Sequence, residues 1–334
     1  MRITQSKLKK IIDKVLPITR PTHLLVTENI FFKLEDDKLT AKATDLETSI
    51  KVVDDVEGKD IEFAVDAKML SSTINALPEQ PLDLSVTETH LIIVSSNGEY
   101  KIPLEDTEFP DIDFEVGDGT TIPNKEFVQA IERVIPFALN DDLRPNMSGV
   151  NFTFGNNLKI AATNAHILSE QVIDVKGEGT FIIQIKALKT LLKEQNDFYI
   201  CEKGNSVLFE TGDTIISTLK INGKFPTYEQ LFNESWQKIE FDRVELLQSL
   251  KRISPYIGEA KKVSLEFADQ LTIKGENETA NAVEKLPYNG EPININFNAG
   301  FLASVLKWDC TWEALGNKSV FTNDSGRILL MGMS

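Results

Sequence analysis

Lys7, Lys10 and Lys14 fall at helical spacing, and Lys186, Lys189 and Lys193 repeat the pattern later in the chain. On a helix, residues three and four apart share a face, so each trio forms a stripe of ammonium groups. Such a stripe suits phosphate: salt-dependent contacts to a nucleic-acid backbone, without base reading. For any one stripe taken alone, a solvated lysine face is the more ordinary explanation. The whole chain carries −16, and a field of that sign repels phosphate, so phosphate binding requires the charge to be segregated. It is. Six segments of helical periodicity (6–15, 66–77, 124–139, 186–195, 242–257 and 298–307) together hold +7, leaving −23 for the rest.

Catalytic patterns are missing. There is no GxxxxGK[ST] or GxGxxG phosphate loop, no HExxH and no GxSxG elbow. His23, His90 and His166 sit in three unrelated settings, and Cys201 and Cys310 have no motif spacing. The carboxylate runs Glu35-Asp36-Asp37 and Asp141-Asp142 read as loop charge. A non-catalytic protein without metal or cofactor is expected. No recognition-helix or zinc-finger pattern points to base reading, so double-stranded DNA would be bound non-specifically.

The positioning elements repeat. Gly98, Gly212 and Gly326 stand 114 residues apart, each between strand-like runs: LIIVSSNGEYKI, VLFETGDTIIST and SVFTNDSGRILL. LTAKATDLETSI, LKIAATNAHILSE and LTIKGENETANAV begin at Leu39, Leu158 and Leu271, offsets of 119 and 113. Each third opens with an amphipathic helix, as in Leu8, Ile11, Ile12 and Val15, and carries a second helix before its final hairpin. The repeat predicts three tandem α+β domains, 1–114, 119–232 and 236–334, each with two helices on antiparallel sheet. At 334 residues with 41% hydrophobic content, each third can bury a core. The lysine-interrupted N-terminus lacks the uninterrupted apolar stretch and small-residue cleavage site of a signal peptide, and no run approaches a membrane span. A cytoplasmic protein with reduced cysteines, no membrane partner and no glycan at Asn146-Met-Ser148 is expected.

RPT at 20–22, ATDLE at 43–47, EFPDI at 108–112, DLRPNMSGVNF at 142–152, AATNAHIL at 161–168, GKFPTYEQL at 223–231 and FNAGFLASVL at 297–306 add a more specific signal. In order and spacing they resemble the bacterial replicative sliding clamp, the beta subunit of DNA polymerase III, over essentially the whole chain. The resemblance implies the DNA clamp fold: a head-to-tail homodimer closed into a six-domain ring, with helices around duplex DNA and acidic sheets outside. A processivity factor of this kind tethers the replicative DNA polymerase, is opened by a clamp loader and receives other clamp-binding-motif proteins.

The resemblance also implies residue roles. Arg20 and Arg144 match DNA-contacting arginines, joining Lys7, Lys10, Lys14, Lys189, Lys193, Lys251 and Arg252 of the basic helices. Pro145 and Asn146 replace the aromatic pair usual after the second arginine. A partner-peptide groove maps to Met147, Thr163, His166, Leu168, Pro226, Leu231, Met331 and Met333. Ala165 and Ile167 stand where glycine and arginine are usual, and the tail is Met-Gly-Met-Ser where the family has Met-Pro-Met-Arg-Leu. The subunit interface maps to Tyr100 and Ile102 on one side and Pro255 and Tyr256 on the other. The competing expectation is an acidic three-domain interaction scaffold without a DNA role; an enzyme with an unrecognised carboxylate site is the third.

Overall fold

A computed structural model describes residues 1–22, 24–139, 141 and 143–334; His23 and Asp142 lie outside the described residues. All six expected helices form, as Gln5–Val15, Ala67–Ala76, Asn124–Val134, Ile185–Leu191, Arg243–Ile253 and Ala299–Val305. Four of the starts follow from side-chain caps. Thr4, Asp66, Asp242 and Asn298 each accept a first-turn N–H, an interaction worth about 1 kcal/mol. The first helix buries Leu8, Ile11, Ile12 and Val15, about 1.5–3 kcal/mol for each apolar side chain. Of the helices that end earlier than their periodicity suggests, two stop at a proline. Pro136 and Pro255 lack an N–H, and the chain tightens there into the 3₁₀ turns Ile135–Phe137 and Ser254–Tyr256.

The strands form two four-stranded and two eight-stranded sheets, every pairing antiparallel. One eight-stranded sheet joins Ile61–Asp66, Asn29–Glu35, Lys38–Thr44 and Thr48–Asp55 to Thr214–Leu219, Ser206–Thr211, Phe198–Lys203 and Thr120–Ile122. The other joins Thr180–Gln184, Gly149–Thr153, Leu158–Thr163 and Ile167–Ile173 to Gly326–Met331, Lys318–Asn323, Thr311–Leu315 and Gln237–Ile239. The middle third of the chain therefore lends strands to both. The chain divides accordingly into two compact units: Met1–Val128 with Val175–Gly179 and Ile183–Ile221, and Gln129–Asp174 with Thr180–Ile182 and Asn222–Ser334. In the second unit the core gathers on Trp312, stacked on Phe321 at 5.1 Å and edge-on to Phe267 at 5.4 Å.

The three repeated hairpins are real, but their glycines are not equivalent. The turns close at Ser95↔Gly98, Thr211↔Thr214 and Asn323↔Gly326. Gly212 occupies its turn with φ +57°, whereas Gly98 and Gly326 begin the returning strand. The returning strands start at 98, 214 and 326, so the structural offsets are 116 and 112 instead of a uniform 114.

Candidate nucleic-acid interface and partner groove

The basic stripes divide into free and committed cations. Lys10 and Lys193 line one cleft of about 950 Å³ between the helices Gln5–Val15 and Ile185–Leu191. Lys10 is 62% exposed and 3.6 Å from Asp213; Lys189 and Lys193 are exposed. Lys7 lies 3.0 Å from Asp54 and bonds the Asp55 carbonyl. Lys186 braces buried Asp45 at 2.5 Å.

Lys14 corrects the simple picture of a phosphate-facing stripe. It is only 17% exposed and bonds Asp213, Glu194 and the Thr214 hydroxyl. Burial opposes its charge, but the hydrogen bonds it donates to Asp213 and Glu194 outweigh burial and hold its pKa above the ordinary lysine value. Asp213 sits in the turn of the second hairpin. Arg133, 119 residues after Lys14, makes the matching contact, its guanidinium bonding Ser325 in the third hairpin's turn. Arg252, another 119 residues on, bonds Glu284 at 2.6 and 2.8 Å and Ser249 at 3.1 Å. Lys14 and Arg133 are thus braces from an opening helix to a hairpin turn. Helix charge alone puts Lys14 and Arg252 in the DNA-facing set, because neither Asp213 nor Glu284 can be paired with them from sequence spacing. Lys251 is exposed.

The two arginine loops are pinned. The Thr27 hydroxyl donates to the Arg20 carbonyl at 3.1 Å, fixing the backbone behind an exposed Arg20 side chain. Arg144 is half exposed and bonds Asp141 at 3.0 Å. The Leu143 N–H and the Arg144 side chain hold the Asp141 carboxyl below the usual carboxylate range.

The groove residues gather around the strand Ile167–Ile173. The Leu139 N–H bonds the carbonyls of both Met147 and Thr163, tying those two together. Thr163 caps the following turn, its hydroxyl donating to the Ile167 carbonyl at 2.8 Å and accepting from the Ala165 N–H at 3.1 Å. His166 is exposed at the turn's tip, and its carbonyl accepts the Met331 N–H at 2.9 Å. Leu168 pairs with Leu329. Pro226 and Leu231 lie on a segment fixed by a group the sequence did not disclose: buried Glu170. It accepts the Tyr228 hydroxyl at 2.7 Å and the Arg327 guanidinium at 2.8 Å, while Arg327 lies 3.7 Å over the Phe232 ring. Burial and the Glu170 charge push the Tyr228 phenol well above its ordinary pKa. The tail is anchored through Met333, whose N–H bonds the Asn296 carbonyl at 2.7 Å.

Family patterns match most of this chain. That of the DNA polymerase III beta subunit N-terminal domain covers residues 1–113, and that of its central domain covers 121–227. The chain belongs to the DNA polymerase III beta subunit family. Beta sliding clamps of Haemophilus influenzae and Staphylococcus aureus are each 25% identical to it, over 91% and 88% of this chain and 88% and 86% of theirs. The fold is that of a Pseudomonas aeruginosa sliding clamp, with TM-score 0.93 at 23% identity over 100% and 99% of the two chains. A Bacillus subtilis clamp gives 0.92 at 20% identity, over 100% and 98%.

For a beta subunit the sheet edges matter as much as the sites. Gly98–Pro103 and Asn281–Pro287 are edge strands of the two four-stranded sheets. Ile102 is 2% exposed, already filling its own core. Tyr100 is half-buried; Pro255 and Tyr256 are exposed. Among the described residues no His, Cys, Asp or Glu cluster has metal-site geometry, and no helix is long and apolar enough to cross a membrane.

Proposed function

We infer that this chain is a DNA polymerase processivity clamp, a non-catalytic cytoplasmic accessory subunit that dimerises head to tail around duplex DNA. Three tandem domains, 1–114, 119–232 and 236–334, would give six around the ring. Lys7, Lys10, Lys189, Lys193, Lys251, Arg20 and Arg144 would meet phosphates weakly enough to slide. The replicative polymerase would dock through the groove at His166, Leu168, Pro226 and Met331. A clamp loader would open the ring, and other proteins bearing a clamp-binding motif would share the groove.

Repeated pairing at the domain junctions carries this proposal. Thr48–Asp55 pairs with Thr214–Leu219 and Ile167–Ile173 with Gly326–Met331, in one register: Val52 faces Thr214 as Gln171 faces Gly326. The turn before Asn281–Pro287 has the same closure, Asn277 N–H to Ala280 carbonyl matching Asp45 to Thr48 and Asn164 to Ile167. One strand of each kind keeps an open edge, Asn281–Pro287 and Gly98–Pro103. Two copies joined head to tail would pair these two edges and turn each pair of four-stranded sheets into an eight-stranded one like the other two. Continuing the register sets Gly98 opposite the partner's Glu284 and Glu99 opposite the partner's Val283. Arg252 would then reach the partner's Asn97, as Arg133 reaches Ser325.

Cysteine cross-linking tests this closure. Glu99→Cys with Val283→Cys should yield a covalently closed dimer on mild oxidation, since directly opposed residues meet disulfide geometry. Lys101→Cys with Val283→Cys, two residues out of register, should cross-link poorly. A monomer in the ultracentrifuge with no cross-link would favour the acidic scaffold instead.

A further inference from the structure

The groove around Ala165 has an internal counterpart in the first compact unit. The Thr44 hydroxyl donates to the Thr48 carbonyl and accepts the Leu46 N–H at 2.9 Å, as Thr163 does for Ile167 and Ala165. Asp45 accepts the Thr48 N–H at 2.7 Å as Asn164 accepts that of Ile167 at 3.0 Å. Leu46 and Ala165 share left-handed backbone, φ +74° and +75°. The Leu219 N–H bonds the Glu47 carbonyl at 2.8 Å as that of Met331 bonds His166 at 2.9 Å. Leu219 therefore stands at the Met331 position and Glu47 at the His166 position. In the segment leading to Asp111 and Ile112, Phe109-Pro110 stands in sequence as Phe225-Pro226 does, 116 residues earlier, with Phe109 edge-on to Phe31 at 5.2 Å and beneath the Lys42 ammonium.

Leu46, Glu47 and Leu219 line a cleft of about 390 Å³ together with Asp111, Ile112 and Leu208, within the size range of small ligand sites. Leu208 is buried in its lining, while Leu46 and Leu219 remain 50% and 38% exposed at its mouth. Ile112 supplies the far wall. The rim is acidic: Glu47 and Asp111 have no ion pair among the described residues, and Lys203 is engaged by Asp113. Apolar walls take apolar side chains, and the acidic rim favours a cation beside them.

We propose that this cleft is a second peptide-docking site, taking a partner's short apolar segment flanked by lysine or arginine. The assignment rests on the partner groove proposed above, whose architecture it repeats with a different charge. Calorimetric titration of the full chain with Gly-Leu-Leu-Phe-Lys-Lys should then find two peptides per chain. Leu219→Asp should leave one. So should Leu46→Asp, where left-handed backbone suits aspartate and folding is spared. Removing Met331 to Ser334 should also leave one, now in the cleft. Gly-Leu-Leu-Phe-Glu-Glu should bind the cleft at least tenfold more weakly. A single site lost on tail removal and untouched by both leucine variants would overturn the cleft and leave the groove standing. A single site lost in both leucine variants and indifferent to the tail would uphold the cleft and displace the groove. Absence of binding by the lysine peptide would overturn the cleft.

Discussion

The junction at Thr48–Asp55 and the junction at Ile167–Ile173 share their register, their threonine-capped turn and their brace from an opening helix. They differ in what hangs on that frame. The first presents Leu46, Glu47 and Leu219; the second presents Ala165, His166 and Met331. Behind the frame, Lys51 occupies the position at which the second junction buries Glu170 with Tyr228 and Arg327. Backbone hydrogen bonds thus set the architecture at both places, and side chains carry whatever distinguishes their partners.

The largest expected effect breaks that asymmetry. Glu170→Ala would leave the Tyr228 hydroxyl and the Arg327 guanidinium without their shared partner. Losing one member of a buried charged group costs about 3 kcal/mol. Lys51→Ala, at the matching position, should stay within about 0.5 kcal/mol. Equal losses in urea denaturation would show that the two junctions are held alike.

The braces sharpen the comparison through pH. Burial works against Asp213 ionising, but the Lys14 ammonium and Thr214 hydroxyl outweigh it and hold its pKa below the ordinary value. Its stabilisation is complete above the unfolded pKa of about 3.9 and fades as pH falls through the lower folded value. Lys14 is shifted upward, so its share is complete below the unfolded pKa of about 10.4 and fades as pH rises through the higher folded value. Lys14→Met should therefore cost about 1 kcal/mol at neutral pH and flatten both limbs of the stability profile. Unaltered limbs would remove Lys14 from the junction.

The smallest effect is a gain. Ala165 has φ +75°, a conformation that costs a non-glycine residue about 1–2 kcal/mol. Ala165→Gly should recover about 0.5 kcal/mol after glycine's greater unfolded freedom is deducted. Leu46→Gly relieves the same strain but discards a side chain that lines the cleft, so its melting temperature should rise less.

What was legible in the sequence was local. The stripe Leu8, Ile11, Ile12 and Val15 gave a helix, Asp66, Asp242 and Asn298 gave starts, and paired strands with polar turns gave hairpins. Contacts distant in the chain were not legible. Lys14 meets Glu194 and Asp213 across 180 and 199 residues, and Glu170 meets Arg327 across 157. No spacing rule reaches that far. The groove positions came from resemblance, while no motif or spacing singles out the Glu170 anchor behind them.

The central claim is topological, and retention on DNA tests it most directly. Loaded onto nicked circular duplex, the clamp should remain bound through gel filtration and be released once the DNA is linearised with free ends. Equal loss from circles and linear duplex would contradict an encircling clamp.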